Sequence, residues 1–571
     1  MGNKVWDVIN ILRGSYSSSS YVELLGGFAF VKAVSEKYNL EFDYDNMTFK
    51  NTSKTDFNEI EISIMKDLNV LFINSIDKEI YNQIMPLIKD VSNTELASSL
   101  FENYSKMDNN TTPESLAKLA LKILDLKEND SILDLCSGYG LFLTEAFKIK
   151  KSIKIHGREI NKVSAMISKI ILYLNNIETA DIQTQDVLLN SESSRFDKIF
   201  SHFPFIMRLD RNKIDKINKS GELNFEYDFD TRTSSDWIFV TKTINSLKDN
   251  GKAVVIMADG PLYKSQDAEF RKELINSGYV EAIIQLPERL LFNTIISITM
   301  LVLSKDDKRN KVKIIDASES FTKGRRFNEL TEENIKSILN MYNSEEHFIN
   351  IKEIKENHYL LSPKRYTNQI DIENPIKVKE FSHTIFRGVQ LSAKQLDKGF
   401  VDAQTYDYKV LNLSDINDNT IDYKGLQKVK LEGNKWDKYL LKDKDFIISA
   451  KGATIKTSIV EISETDKILA SGNLMVIRIN QEIVNPYYVK VFLDSPLGRK
   501  VINSVQTGSV FISIGKKMLE EMEIPFVDLD KQNEVATKFL AYLDELKYYQ
   551  RKLDNVDNKI ANLFEDEMGG E

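Results

Sequence analysis

The chain has 571 residues and a formal charge of −9, from 76 Lys and Arg against 85 Asp and Glu. At roughly 100 to 200 residues per domain it needs about three or four cores, and 42% hydrophobic and 28% charged residues with only ten Pro exclude a disordered or collagen-like chain. The acidic balance argues against a protein that coats nucleic acid with its whole surface, and a lone cysteine, Cys136, excludes an internal disulfide and a multi-thiolate zinc site.

Five scattered His leave no metal site to expect. No run reaches the roughly 18 apolar residues that cross a bilayer, and the start of the chain lacks the basic, apolar and small-residue order of a secretion signal. The expectation is a cytoplasmic protein with no membrane partner.

Residues 1–107 read as a helical domain. Trp6, Ile9, Ile11 and Leu12 recur at helical spacing, Tyr21 to Ala33 is a second such stretch and Asp56 to Leu68 a third. Ser15 to Ser20, five serines around Tyr16, read as the loop between the first two.

Residues 108–318 read as an α/β domain. Thr112-Pro113-Glu114 has the form of a helix start, with Thr to cap free amides and Pro preset for the first turn, and the helix is expected to run to Leu126. Strand-like runs follow at Ser131 to Leu135, Ile153 to Gly157, Phe196 to Ser201, Ala253 to Ala258, Val280 to Leu286 and Ile295 to Leu303, alternating with amphipathic segments as in a parallel sheet with crossover helices. Residues 319–379 read as a polar, partly helical connector with one ordered stretch, Tyr359 to Tyr366. Residues 380–529 carry short β-type runs, among them Tyr408 to Leu411, Phe446 to Ser449 and Leu474 to Ile479, and read as an α+β domain. Residues 530–571 read as a long helix and tail, with Val535, Phe539, Leu543, Leu546 and Leu553 on the helix.

The chemistry concentrates after the first strand. Asp134-Leu135-Cys136-Ser137-Gly138-Tyr139-Gly140 places an acid and two glycines between a strand and a helix, where glycine lets the backbone turn sharply and approach a ligand. The next strand ends at Glu159, positioned to accept bonds from two ribose hydroxyls, and Asp186 is placed to receive an adenine amine. Leu141-Phe142-Leu143 follows Gly140, so the six-residue glycine spacing of dinucleotide sites is not met. Cys136 reads as a small apolar side chain within this loop.

These residues and the strand order they imply resemble the S-adenosylmethionine site of class I methyltransferases, whose Rossmann-like fold is the expectation for this domain. The resemblance implies S-adenosyl-L-methionine as cofactor, held by Thr112, Pro113, Asp134, Gly138, Gly140, Glu159 and Asp186. A wider pattern is more specific. Trp6 to Gly14, Thr112-Pro113, Gln285-Leu286-Pro287 with Phe292, and His358 to Tyr366 resemble the modification subunit of type I restriction-modification systems over roughly residues 1–370. From about residue 381, Leu441 to Gly452, Thr507-Gly508-Ser509 and Ile524-Pro525 leading to Gln532 are similar to one target-recognition half of a type I specificity subunit.

Such modification subunits methylate the exocyclic amine of adenine in DNA, flipping the base out, stacking it on an aromatic ring and accepting its amino hydrogens on Asn and a backbone carbonyl. The family writes this as Asn-Pro-Pro followed by Tyr or Phe after a strand. Here the matching residues are His202-Phe203-Pro204-Phe205. Phe205 and Pro204 fit the pattern and the carbonyl of Phe203 is an available acceptor, but His202 stands in the Asn position, where losing a pre-placed hydrogen-bonding group costs about 10²-fold in rate. Three readings stay open: a methyltransferase with an altered acceptor, a DNA-binding regulatory subunit that keeps the cofactor pocket without transfer, and an enzyme on another substrate with His202 as base.

Charge is uneven along the chain. Residues 381–517 hold 20 Lys or Arg against 15 Asp or Glu, and residues 518–571 hold 6 against 14. The basic segment coincides with the region similar to a target-recognition domain, and Lys451, Lys456, Lys516 and Lys517 are the candidate phosphate contacts. The partners implied are double-stranded DNA, a second copy of the chain through the terminal helix, and separate restriction or specificity subunits. No translocase or nuclease motif is present, so cleavage would need a separate protein.

Overall fold

The computed structural model describes residues 4–16, 18–46, 48–72, 78–105, 111–190, 192, 194–220, 227–291, 296–306, 309–325, 327–367, 370–391, 406–417, 420–431, 433–452, 455–463, 465–505 and 512–568. They divide into two compact units, Met1–Thr367 and Asn368–Glu571. Phe292 and Thr507-Gly508-Ser509 lie outside the described residues.

The first unit opens with α1 (Lys4–Ser15), α2 (Ser18–Tyr38), α3 (Glu59–Phe72), α4 (Lys78–Ile88) and α5 (Asn93–Ser105), with a short hairpin, Phe42–Asp43 against Thr48–Phe49. Ser18 to Ser20 start α2 rather than forming a loop, since Ser is favoured at helix starts as well as in turns. Leu12, Leu25, Phe28, Ile64 and Leu100 of these helices are buried together with Ile167, Ile170 and Ile171 of a later helix. The helical region therefore shares its core with the α/β part of the same unit instead of closing on itself at residue 107. Polar contacts pin the junction: the carboxylate of Glu61, with a fully buried side chain, accepts from Tyr173 Oη at 2.7 Å, Tyr38 Oη at 2.9 Å and Lys37 Nζ at 2.9 Å.

After α6 (Glu114–Leu124) strands and helices alternate: β1 (Ser131–Asp134), α7 (Leu141–Ile149), β2 (Lys154–Glu159), α8 (Lys162–Leu174), β3 (Asp181–Thr184), β4 (Phe196–His202), α9 (Arg211–Lys219), α10 (Asp236–Ser246), β5 (Leu247–Ala258), α11 (Ala268–Ser277), β6 (Val280–Gln285), β7 (Ile298–Ser304) and β8 (Lys311–Asp316), of which β3 and β8 were not among the expected strands. The nine-stranded sheet is completed by β9 (Phe348–Asn350) and runs β3-β2-β1-β4-β5-β7-β6-β8-β9. Strand β7 is antiparallel to β5 and β6, and β9 to β8, while the other pairs are parallel. Every residue of β7 is buried, which suits its unbroken Ile-Thr-Met-Leu-Val-Leu run. Chain order reverses between β1 and β4, opening a crevice beyond their carboxyl ends where ligands bind in open α/β sheets.

The segment expected as a connector from residue 319 belongs largely to this unit, which extends to Thr367. Helix α12 (Glu332–Asn343) buries Ile335, Ile338 and Tyr342, and β9 adds a strand of only three residues. A three-residue strand carries too few periods to stand out in the sequence. The ordered stretch from Tyr359 to Tyr366 is held by the buried Arg271, whose Nε donates to the carbonyl of Tyr359 at 2.8 Å and Nη1 to that of Pro261 at 2.8 Å.

The second unit holds a four-stranded sheet, in the order Ser382–Arg387, Leu474–Ile479, Phe446–Ser449, Thr457–Ile459, and a three-stranded one in which Tyr408–Leu411 lies between Gln427–Val429 and Ile468–Ala470. Its terminal helix, Leu529–Met568, has 40 residues. Gln532 is fully buried at its start, accepting the amide of Asn485 at 2.8 Å and donating to the carbonyl of Val527 at 2.8 Å. Among the described residues no helix is long and apolar enough to cross a membrane.

Candidate active site

The glycine loop leaves the carboxyl end of β1. Gly138 and Gly140 take φ of +50° and +81°, a region that favours glycine, and a Cβ on Gly140 would stand 2.5 Å from Ser168 Oγ. Beyond its own chain neighbours, no heavy atom lies within 4 Å of where a Cβ on Gly138 would be, so the loop edges open space. Glu159, at the end of β2, braces this loop: one oxygen accepts the amide of Gly138 at 2.9 Å and the other that of Asn161 at 2.7 Å. Asn161 in turn caps α8 by accepting from Val163 and Ser164.

Asp134 is buried and accepts the amide of Cys136 at 3.1 Å. Burial, aided by the charge of Glu159, pushes its carboxyl up to about 8. The half-buried Cys136 thiol is likewise pushed up by burial and by the neighbouring acids, away from the reactive thiolate form. Asp186 accepts the amide of Leu188 at 3.0 Å and forms an ion pair with Lys213 of α9 at 2.6 Å. Lys213 has no signal in the local sequence; it meets Asp186 because Ile214 and Ile217 of α9 are buried in the same cluster as Val187 and Leu188.

His202 ends β4 and is buried. Burial alone pulls its imidazole down to about 4, so the ring is neutral at pH 7. Its Nδ1 lies 2.8 Å from Thr112 Oγ1. The helix that Thr112 was expected to cap starts instead at Glu114, with Pro113 as its N-cap residue and no side-chain cap, which leaves the Thr112 hydroxyl for His202. Phe203 is buried and stacks on Phe239 with centroids 4.4 Å apart, filling core rather than facing ligand. Pro204 is exposed, and the half-buried Phe205 ring lies 5.3 Å from that of His202. The next residue, Ile206, takes φ of +55°, a strained choice for a β-branched side chain, and its amide donates to Asp236 Oδ1 at 3.4 Å.

The structure thus places Asp134, Gly138, Gly140, Glu159, Asp186 and the His202–Phe205 segment at or just beyond the carboxyl ends of neighbouring strands, and Thr112, ahead of α6, joins them through His202. The open glycine loop, the buried carboxyl of Asp134 and the buried Ser137 hydroxyl without a partner are the groups that could hold an adenosyl ligand with a positively charged tail.

In the second unit, Lys451 lies in a short strand, Lys451–Gly452, that pairs with Ile512–Ser513, and Lys516 and Lys517 are exposed. Lys516 faces Glu520 at 3.7 Å. Lys456 differs from the phosphate contact expected of it, because its ammonium donates to the carbonyls of Leu413 at 3.4 Å and Ile416 at 2.5 Å.

Sheet order, antiparallel β7 and a glycine loop at the switch point define a class I methyltransferase fold. Residues 98–375 match the family model N-6 DNA Methylase and residues 388–556 match Type I restriction modification DNA specificity domain, so one chain carries a region similar to each. The methylase subunit of the type I restriction enzyme MjaVIII of Methanocaldococcus jannaschii is 27% identical over 298 residues, 47% of this chain and 51% of that one. The chain spans about half the length of the curated relatives it matches. Among solved structures, the methyltransferase subunit of a type I restriction-modification system from Streptococcus thermophilus aligns with a TM-score of 0.53 at 20% identity, over 63% of this chain and 97% of that one. A DrdV–DNA complex aligns with a TM-score of 0.52 at 12% identity, over 94% of this chain and 69% of that one.

Proposed function

We propose that the chain transfers a methyl group to the N6 amine of adenine in duplex DNA, as the joined modification and target-reading part of a type I-like restriction-modification system. The observation that carries this is a neutral, buried His202 beside the half-buried Phe205 at the sheet edge shared with the glycine loop. S-adenosyl-L-methionine, when bound, supplies an electrophilic methyl group on sulfur. Asp134 offers a carboxylate to the cationic end of that ligand, while Gly138 and Gly140 allow its close approach; Glu159 and Asp186 are the acceptors for the ribose and the adenine amine.

The target amine is a weak nucleophile because its lone pair is shared with the ring. Phe205 gives a flipped base a stacking face. Neutral His202 adds no charge to oppose the positive charge that develops on the amine. Its role depends on the tautomer. If Nδ1–H donates to Thr112 Oγ1, Nε2 is a free acceptor for an amino hydrogen. If the Thr112 hydroxyl donates to Nδ1, Nε2 carries the proton and cannot accept, which favours a second reading, a DNA-binding regulatory subunit with little or no transfer.

For DNA, Lys451, Lys516 and Lys517 are the phosphate contacts this reading favours, on the more basic of the two counted segments of the second unit. In the terminal helix Tyr542, Leu546, Tyr549, Leu553, Val556 and Ile560 follow one another at alternating spacings of four and three and are 52–69% exposed, the pattern of an unfilled coiled-coil seam. A second copy of the chain is the partner proposed for it, with separate restriction or specificity subunits completing the system. Purified chain incubated with labelled cofactor and host DNA tests the reading: label in N6-methyladenine is expected, tight DNA binding without label favours the regulatory subunit, and failure to bind either ligand rejects both.

A further inference from the structure

Beside the His202–Phe205 loop lies a cavity of about 160 Å3 whose lining includes Arg208, Thr233, Ser235, Asp236, Lys264 and Gln266. One water needs on the order of 10–15 Å3, so the cavity suits a ligand of many atoms rather than a single ion. Asp236, in the first turn of α10, is 0% exposed. Its Oδ1 accepts the amide of Ile206, and its Oδ2 is buried with no hydrogen-bond partner. The hydroxyl of Ser235, the N-cap residue, is also buried and unpartnered. A buried acceptor left in this state is costly, and what it lacks is a donor. Burial raises the Asp236 carboxyl to about 6, which still leaves it mostly ionised at pH 7.

The cations of the cavity complement this acid. Arg232 is paired with Asp230, but Arg208 and Lys264 form no ion pair among the described residues. A ligand that satisfies both features presents an anion and N–H donors on one rigid frame. A nucleotide whose base carries an amino group does so, and acidic side chains accept from the amine of cytosine in DNA recognition.

We propose that this cavity receives a nucleotide neighbouring the target adenine, with its phosphate at Arg208 and Lys264 and its base amine donating to Asp236 Oδ2. The proposal rests on the DNA reading above. Because Asp236 also holds the amide of the strained Ile206, a nucleotide seated here would steady the loop that carries Phe205, coupling the identity of a flanking base to the target pocket.

Trp237 adjoins Asp236, is fully buried and is one of three Trp in the chain, so a full-length Trp6→Phe/Trp436→Phe background makes it the sole reporter. Fluorescence titrations with dCMP, dTMP and deoxycytidine are expected to give dCMP the tightest constant by about tenfold over each of the others, one charge-assisted contact being lost in each case. Asp236→Asn, which can turn a donor towards the base, should erase the preference over dTMP, and Arg208→Ala with Lys264→Ala the preference over deoxycytidine. The same protein is tested against duplex DNA by anisotropy. A chain that binds duplex but gives equal constants for the three probes overturns the nucleotide site alone; a chain that binds no duplex overturns the reading beneath it.

Discussion

If His202 accepts a hydrogen from the target amine, its removal and its titration have calculable effects. His202→Ala deletes a pre-placed hydrogen-bonding group and should lower the transfer rate by about 10²-fold, whereas His202→Asn restores an acceptor and should stay within about tenfold of the original. The pH dependence is sharper. An ordinary imidazole near 6.5 is only about 10% neutral at pH 5.5. With burial holding His202 at about 4, roughly 97% stays neutral at that pH. Initial rates of methyl transfer to adenine in host DNA, at saturating cofactor and at pH 5.5, 7 and 8, should therefore keep a constant ratio between the original protein and His202→Asn, which carries the pH dependence of every other group. Full activity in His202→Ala would falsify the acceptor role. A tenfold fall of that ratio from pH 7 to 5.5 would show an exposed, ordinary imidazole instead. A rise of about 10²-fold in His202→Asn would mean that the ring blocks transfer and that the regulatory reading holds.

Asp134 gives a second test. With its carboxyl at about 8 in the free chain, binding a cationic cofactor at pH 7 should release close to one proton, and affinity should climb as the pH approaches 8. Calorimetry in two buffers of different ionisation enthalpy reads the proton count, and a count of zero contradicts the placement of the cation. The same raised value makes Asp134 a stability cost that grows as the pH rises from 3.8 to about 8, so ligand binding should raise the melting temperature more at pH 8 than at pH 6. Glu61→Ala leaves the hydroxyls of Tyr173 and Tyr38 without their shared acceptor and should destabilise the first unit by about 2–4 kcal/mol in urea unfolding; a loss under about 0.5 kcal/mol would make the junction network incidental. For the terminal helix, light scattering should report a dimer that Leu546→Glu with Leu553→Glu converts to monomer, and a monomeric parent chain with or without DNA removes the coiled-coil proposal.

Much of the candidate site could be read from the chain alone because its signals are local. Asp134, Gly138 and Gly140 lie within seven residues, and the turn between β1 and α7 demands positive φ where glycine stands. Six of the nine strands, β1, β2 and β4 to β7, stood out because buried strands are apolar runs, whereas β3, β8 and β9 are short or half polar and did not. The terminal helix was equally local in its signal, since Val535, Phe539, Leu543, Leu546 and Leu553 recur over consecutive turns.

Contacts between residues far apart in sequence were not legible. Thr112 carries the side chain of a good cap, yet its hydroxyl sits 90 positions from His202 in sequence and 2.8 Å from its ring, and only the packing of α6 against the sheet reveals that use. Lys456 looked like a phosphate contact until folding brought the carbonyls of Leu413 and Ile416 to its ammonium. Residue types and spacing set the strands, the glycine turn and the departure from Asn at position 202, because steric and hydrophobic preferences act within a few residues. Burial set the rest: the neutral state of His202, the raised carboxyls of Asp134 and Asp236 and the unpartnered oxygen beside the loop all follow from how much water each group loses, and that is a property of the packed chain.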